Sequence, residues 1–134
     1  MASTLIGAVE NPVRTQGLVT NPANNTTKEL VKLKGPGLFI SAEVTKQGGN
    51  SDLTFIILDI DGRNVVNISV AALFNQGLMS HNSYGVEVFR SAAALETVTI
   101  GFPVPLTYRK QLSLKVTVNE TGVVQIVGNV ITAS

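Results

Sequence analysis

The chain has 134 residues, ten Lys or Arg against nine Asp or Glu, one histidine, no cysteine and no tryptophan. Without cysteine there is no disulfide framework, no thiolate nucleophile and no Cys-ligated zinc, and a formal net charge of +1 leaves no electrostatic footprint for nucleic acid. Only 14% of residues are charged, against about 25% in ordinary soluble domains, so Asn, Thr, Ser, Gly, exposed apolar atoms or a partner must cover the surface.

This length suits one domain with one hydrophobic core. Met1–Ile6 has no basic residue ahead of its short apolar stretch, so no secretory leader is read there. Apolar runs such as Phe55–Leu58 are far shorter than the roughly 20 residues of a membrane-crossing helix. The expectation is a soluble chain made in a cytoplasm, with no membrane partner. The Asn-x-Ser/Thr sites at Asn24, Asn25, Asn67 and Asn119 read as turn and strand residues.

Residues 1–27 lack sustained periodicity and contain Asn11-Pro12, Gly17, Asn21-Pro22 and the polar run from Asn24 to Thr27. They are read as an extended N-terminal arm, ordered only against a neighbour, with residues 28–134 forming the folded domain. The expected fold is an all-β two-sheet sandwich of about eight strands. Leu38, Ile40, Ala42 and Val44 alternate with Phe39, Ser41, Glu43 and Thr45, which places the first set inward. Thr54–Ile60 is apolar on both faces, which predicts a central strand covered twice or facing a partner.

Asp61-Gly62 predicts a tight hairpin with both central residues at positive φ, so Gly62→Val should destabilise and Asp61→Asn should be nearly silent. Residues 71–76, followed by Gly77, predict one or two helical turns. Further strands are expected at Tyr84–Arg90 and Leu95–Phe102, with an edge or a break where Pro103 and Pro105 follow. Residues 112–131, turning at Asn119–Gly122, predict a closing hairpin.

No catalytic, cofactor-binding or metal-binding residue is assigned, and no cofactor is expected. His81 stands in irregular sequence without a Gly-x-Ser-x-Gly nucleophile motif, so it reads as a loop histidine. Asp59-x-Asp61-Gly62-x-Asn64 departs from a calcium loop, with glycine at the fourth position and Val70 at the twelfth; Asp52 could at most add to a weak cation site. Arg109-Lys110 is the densest basic cluster, with Arg90 and Lys115 elsewhere, and these read as scattered solvated charges.

The polar Ala/Ser/Thr-rich start, the Asn/Thr/Pro arm, Leu53–Val70 with its Asp61-Gly62 turn, Ile100–Leu106 and the closing pair to Ile131 together resemble tailed-phage capsid cement, decoration or auxiliary head proteins with a jelly-roll-like fold. The resemblance is architectural and spans roughly residues 28–132. It implies a non-enzymatic virion component on the outer capsid surface, made in the host cytoplasm, that clamps neighbouring major capsid proteins or another large assembly. The scarcity of charge together with the two-sided apolar strand Phe55–Ile60 predicts a homo-oligomer, dimer or trimer. The competing expectation is a carbohydrate- or receptor-binding β-sandwich of a viral fibre or spike, against which stand the missing tryptophan and only two tyrosines. A small β-sandwich enzyme is a third, disfavoured by one histidine and no cysteine.

Overall fold

Period-2 alternation turns one side of almost every strand inward, and the strands sort into two antiparallel sheets packed face to face. The computed structural model describes residues 10–134; the first nine residues of the expected arm lie outside the described residues. Among the described residues there are nine strands: β1 (Val13–Thr20), β2 (Thr26–Lys34), β3 (Gly37–Gly48), β4 (Thr54–Ile60), β5 (Arg63–Ser69), β6 (Val86–Ala92), β7 (Leu95–Tyr108), β8 (Gln111–Val118) and β9 (Val123–Ala133). One short helix, α1 (Val70–Asn75), follows β5.

The sheet orders are β1-β9-β3-β7-β6 and β2-β8-β4-β5. Leaving out β6 gives 1-9-3-7 facing 2-8-4-5, the two four-stranded sheets of a jelly roll. The ninth strand, β6, is the additional one, hairpinned onto the outer side of β7. Between the sheets lie Phe39, Ile56, Leu58, Leu112, Leu114 and Ile126, all fully buried.

The local signals at Asp61-Gly62 and at the helix behave as the sequence requires. Ile60 pairs with Arg63, and the two residues between them sit at φ of 53° and 80°, so a side chain with a Cβ at Gly62 would be conformationally strained. Ser69 caps α1 by accepting the Ala72 amide at 3.1 Å, and Gly77 ends the turn at φ 75°. The prolines also mark a break: Phe39 pairs with Leu106 and Ser41 with Gly101, so Phe102–Pro105 bulges out opposite Ile40 alone.

Other expectations are corrected. Val13–Thr20 is no free arm: it pairs residue for residue with β9, and β2 already begins at Thr26, inside the expected arm of residues 1–27. Breakers misled here because Pro12, Asn21 and Pro22 bracket the strand and only Gly17 interrupts it. Residues 112–131 do not form a hairpin. β8 belongs to one sheet and β9 to the other, so Asn119–Gly122 is a corner crossing between layers. One-sided alternation is the same for a hairpin and for a sheet-to-sheet corner.

In β3 the register shift beside Phe39 reverses its parity, so Phe39 rather than Leu38 or Ile40 enters the core. β4 is an interior strand with Ile56 and Leu58 buried; Phe55 and Ile57 on its other face are half-buried among β5 and β8. No helix among the described residues is long and apolar enough to cross a membrane.

Candidate functional site

At the end of the sandwich where β3 leads to β4 and β8 to β9, the inward face of β3 continues past Ala42 and Val44 to Lys46, which is 1% exposed. β7 begins with Glu96 at the same inward parity as Val98, also 1% exposed. The corner between β8 and β9 turns Glu120 inward to meet them. Lys46 Nζ lies 3.0 Å from Asp52 Oδ1, 3.1 Å from Glu120 Oε2 and 3.4 Å from Glu96 Oε1, and donates to the Gly48 carbonyl at 3.1 Å. Arg90, reaching over from β6, bonds Asp52 Oδ2 at 2.8 Å and Glu96 Oε2 at 3.1 Å while its guanidinium stacks 4.4 Å from the Phe74 ring.

Glu120 organises this end. Its Oε1 accepts the amides of Asn50, Ser51 and Asp52 at 2.9–3.2 Å, and its Oε2 accepts the Thr54 hydroxyl at 2.6 Å. Burial alone would push its pKa up, but the Thr54 and Lys46 hydrogen bonds and the Ser51 amide hold it below the ordinary glutamate value. Burial likewise works against the Lys46 ammonium, yet Asp52 and Glu120 raise its pKa above that of a free lysine. Glu96 goes the other way. Desolvation raises its pKa against the opposing pull of Lys46 and Arg90, and the Asp52 charge adds to the rise. Its Oε1 is buried and accepts no hydrogen bond among the described residues. Three carboxylates face two cations here, and the charged form of Glu96 is disfavoured by its burial.

The sequence singled out Asp52, Asp59 and Asp61 as a conceivable cation site, and the structure separates them. Asp52 is held by Lys46 and Arg90. Asp59 pairs with Lys115 at 2.7 Å and accepts from Asn64 at 3.0 Å; burial opposes ionisation, but those two partners together keep its pKa below normal. Asp61 uses both oxygens to receive the amides of Arg109, Lys110 and Gln111 at 2.7–3.1 Å, which lowers its pKa. It thereby ties the β4–β5 turn to the β7–β8 corner. Among the described residues, no group of three or more His, Asp or Glu is arranged to hold a metal ion.

His81 has a side chain 94% exposed, with Nδ1 3.7 Å from Glu87 Oε1 and no hydrogen bond to a hydroxyl among the described residues. It stands on the rim of an open groove of about 990 Å³ across the outer face of the five-stranded sheet. Arg14 donates to Asn129 Oδ1 at 2.9 Å, and Asn129 donates to Glu43 at 2.7 Å, forming a polar row from β1 to β3 along the floor. Phe102 and Pro103 of the bulge form part of its wall. The missed residues had a sequence signal: Lys46 and Glu96 are charges at apolar-face positions of alternating strands.

No family model matches the chain, and neither does any curated protein. Among solved structures it is similar to a chain in a structure of infectious bursal disease virus Gx strain, at 13% identity, a TM-score of 0.27, and coverage of 92% of this chain and 41% of that one. The chain thus spans about two-fifths of the length of its structural neighbour.

Proposed function

We propose that the protein is a non-enzymatic structural component of a virion, docked on the outside of an assembled shell and stabilising it by bridging neighbouring subunits. The observation that carries this reading is the distribution of exposed apolar side chains. Among the described residues, ten large hydrophobics are 38–64% exposed, and six of them belong to the five-stranded sheet: Val13, Leu18, Phe89, Val104, Val124 and Ile131. A surface of this kind in a chain with few charges favours burial against other proteins. The jelly roll supports it by analogy of fold only, since lectin domains share the architecture.

Mechanically, many modest contacts across subunit boundaries would stabilise the assembly because they exist only in its assembled state. The Phe102–Pro105 bulge suits such docking: its two prolines stiffen it, and Val104 at its tip is 64% exposed. Co-sedimentation of purified protein with candidate capsids tests this reading; protein that stays in the supernatant at every capsid concentration refutes it.

The second reading is a carbohydrate-binding module, favoured by the polar row in the groove. Glu43, Asn129 and Arg14 hold one another in place while retaining free lone pairs and N–H groups for a sugar's hydroxyls. A glycan array with wild type and Glu43→Ala separates the two. Glycan signal lost in Glu43→Ala would favour the sugar-binding module.

A further inference from the structure

The four sheet edges of the sandwich are β1 and β6 on one sheet and β2 and β5 on the other. An unpaired edge is a template for another strand, and proteins that must remain single blunt it with charges, bulges or proline. Three of these edges are blunted. β2 carries Lys28, Glu29, Lys32 and Lys34 and shifts register between Glu29 and Val31. β5 carries Arg63 and has a register shift where it pairs with Leu58 and Asp59. β6 carries Glu87 and Arg90 and shifts between Arg90 and Ala92.

β1 differs from all three. Its eight residues pair with β9 in unbroken register from Val13↔Thr132 to Thr20↔Gln125, with no bulge, and like β5 it carries a single charge, here Arg14. Val13 and Leu18 are 54% and 57% exposed. The strand is also held in place from within, because the Leu30 carbonyl approaches Gly17 so closely that any Cβ there would collide with it. A rigid, regular, nearly uncharged edge is therefore presented outward.

We propose that β1 is a homodimer interface, in which two copies pair their β1 strands antiparallel about a two-fold axis at Gln16 and join their five-stranded sheets into one. A second copy is the occupant that β1 itself fits, since its one charge stands near one end and meets no like charge when the strand pairs with itself about a central residue. In an antiparallel two-fold pair, facing residues must lie on the same side of the sheet, so the axis passes through a residue. With the axis at Gln16, Arg14 faces Leu18 of the partner subunit, Val13 faces Val19 of the partner subunit, and the two Gln16 amides face each other. The two arginines end up at opposite ends of the paired strands, so no like charges are opposed. This deepens the assembly reading above, and it is tested on the isolated protein, so dimerisation can fail while capsid binding stands.

The experiment is sedimentation equilibrium on the full chain, wild type against Leu18→Lys and Leu18→Glu, with thermal unfolding of each to show that the fold is intact. Wild type should dimerise. Leu18→Lys sets a lysine opposite Arg14 of the partner subunit twice per dimer, which should weaken dimerisation by about tenfold or more. Leu18→Glu sets a carboxylate there and should dimerise at least as tightly as wild type, losing that gain in high salt. The chain has no cysteine, so Gln16→Cys reports the register directly: it should form a disulfide-linked dimer under mild oxidation, and Leu18→Cys should not. A wild type that remains monomeric, equal dimerisation by the lysine and glutamate variants, or cross-linking at 18 in preference to 16 would overturn the proposal.

Discussion

Replacing Lys46 by Met tests whether the buried ionic cluster holds one end of the sandwich together. Methionine matches the volume of the lysine stem but removes its contacts to Asp52, Glu96, Glu120 and the Gly48 carbonyl, leaving three carboxylates facing Arg90 alone. Stripping one partner from a buried pair costs about 3–5 kcal/mol, which for a domain of this size lowers the thermal midpoint by about 10–20 °C. The two buried glutamates should then separate in magnitude. In Glu120→Gln, an oxygen kept on the three loop amides turns the new NH2 toward the Thr54 hydroxyl and the Lys46 ammonium, so donors oppose donors at a cost of about 2–4 kcal/mol. In Glu96→Gln the oxygen stays on Arg90 and the NH2 takes the position that accepts no hydrogen bond, 3.4 Å from the Lys46 ammonium and so farther than in Glu120→Gln, while the excess negative charge is removed. That change should cost less than about 1 kcal/mol. Differential scanning calorimetry or urea unfolding of the three variants at neutral pH measures the series. Equal losses in the two glutamine variants, or a loss under about 1 kcal/mol in Lys46→Met, would refute the charge balance assigned to the cluster.

The same cluster sets a pH profile: Glu120, with its lowered pKa, stabilises above the ordinary glutamate value of 4.5 and loses this as pH falls through its folded pKa, while Glu96, with its raised pKa, contributes stability below 4.5 that is lost as pH rises through its folded value. Urea midpoints measured across this range should therefore decline on the alkaline side of 4.5 in wild type and flatten in Glu96→Gln; identical slopes contradict the raised Glu96. Gly62→Val should cost about 1–2 kcal/mol in chemical denaturation, because nothing lies within 4 Å of the added Cβ and the penalty is purely conformational. Asp61→Asn should destabilise as well, contrary to the expectation from sequence, since its NH2 would face the Arg109 amide now received by Oδ2; an unchanged urea midpoint would show that water serves these amides equally well. Limited proteolysis should leave the peptide bonds of 13–20 as resistant as those of β8, and early cleavage inside that segment would show that β1 is not part of the sheet.

How far the fold could be read from the sequence depended on whether its determinants were local. The Asp61-Gly62 turn, the capped α1 and the proline break in β7 are set by backbone preferences of one to four residues, and each formed where those residues stand. Sheet membership is not local. β8 and β9 alternate as a hairpin would, but Glu120 must turn inward to receive the Asn50–Asp52 amides, and the corner it makes sends β9 to the opposite sheet. The parity reversal at Phe39 follows from Ile40, an extra residue in β3 that is skipped in the pairing with both β9 and β7, and apolar residue types on either side of it left no mark of the switch. The ionic cluster lay between these cases. Lys46 two residues after Val44, and Glu96 two before Val98, advertised charges on inward faces, but their meeting required knowing that β3 and β7 are neighbours. Asp61 was read as a turn former alone because its amide partners lie 48–50 residues further along.

The proposed docking on a larger shell is tested most directly by the temperature at which capsids become permeable to a nucleic-acid dye, with and without the protein. Capsids depleted of the protein should open at a lower temperature, and adding back wild type should restore the original value. Val104→Asp, which leaves the core untouched and places a charge at the tip of the exposed bulge, should restore it only in part. An opening temperature unchanged by saturating wild-type protein would contradict the account.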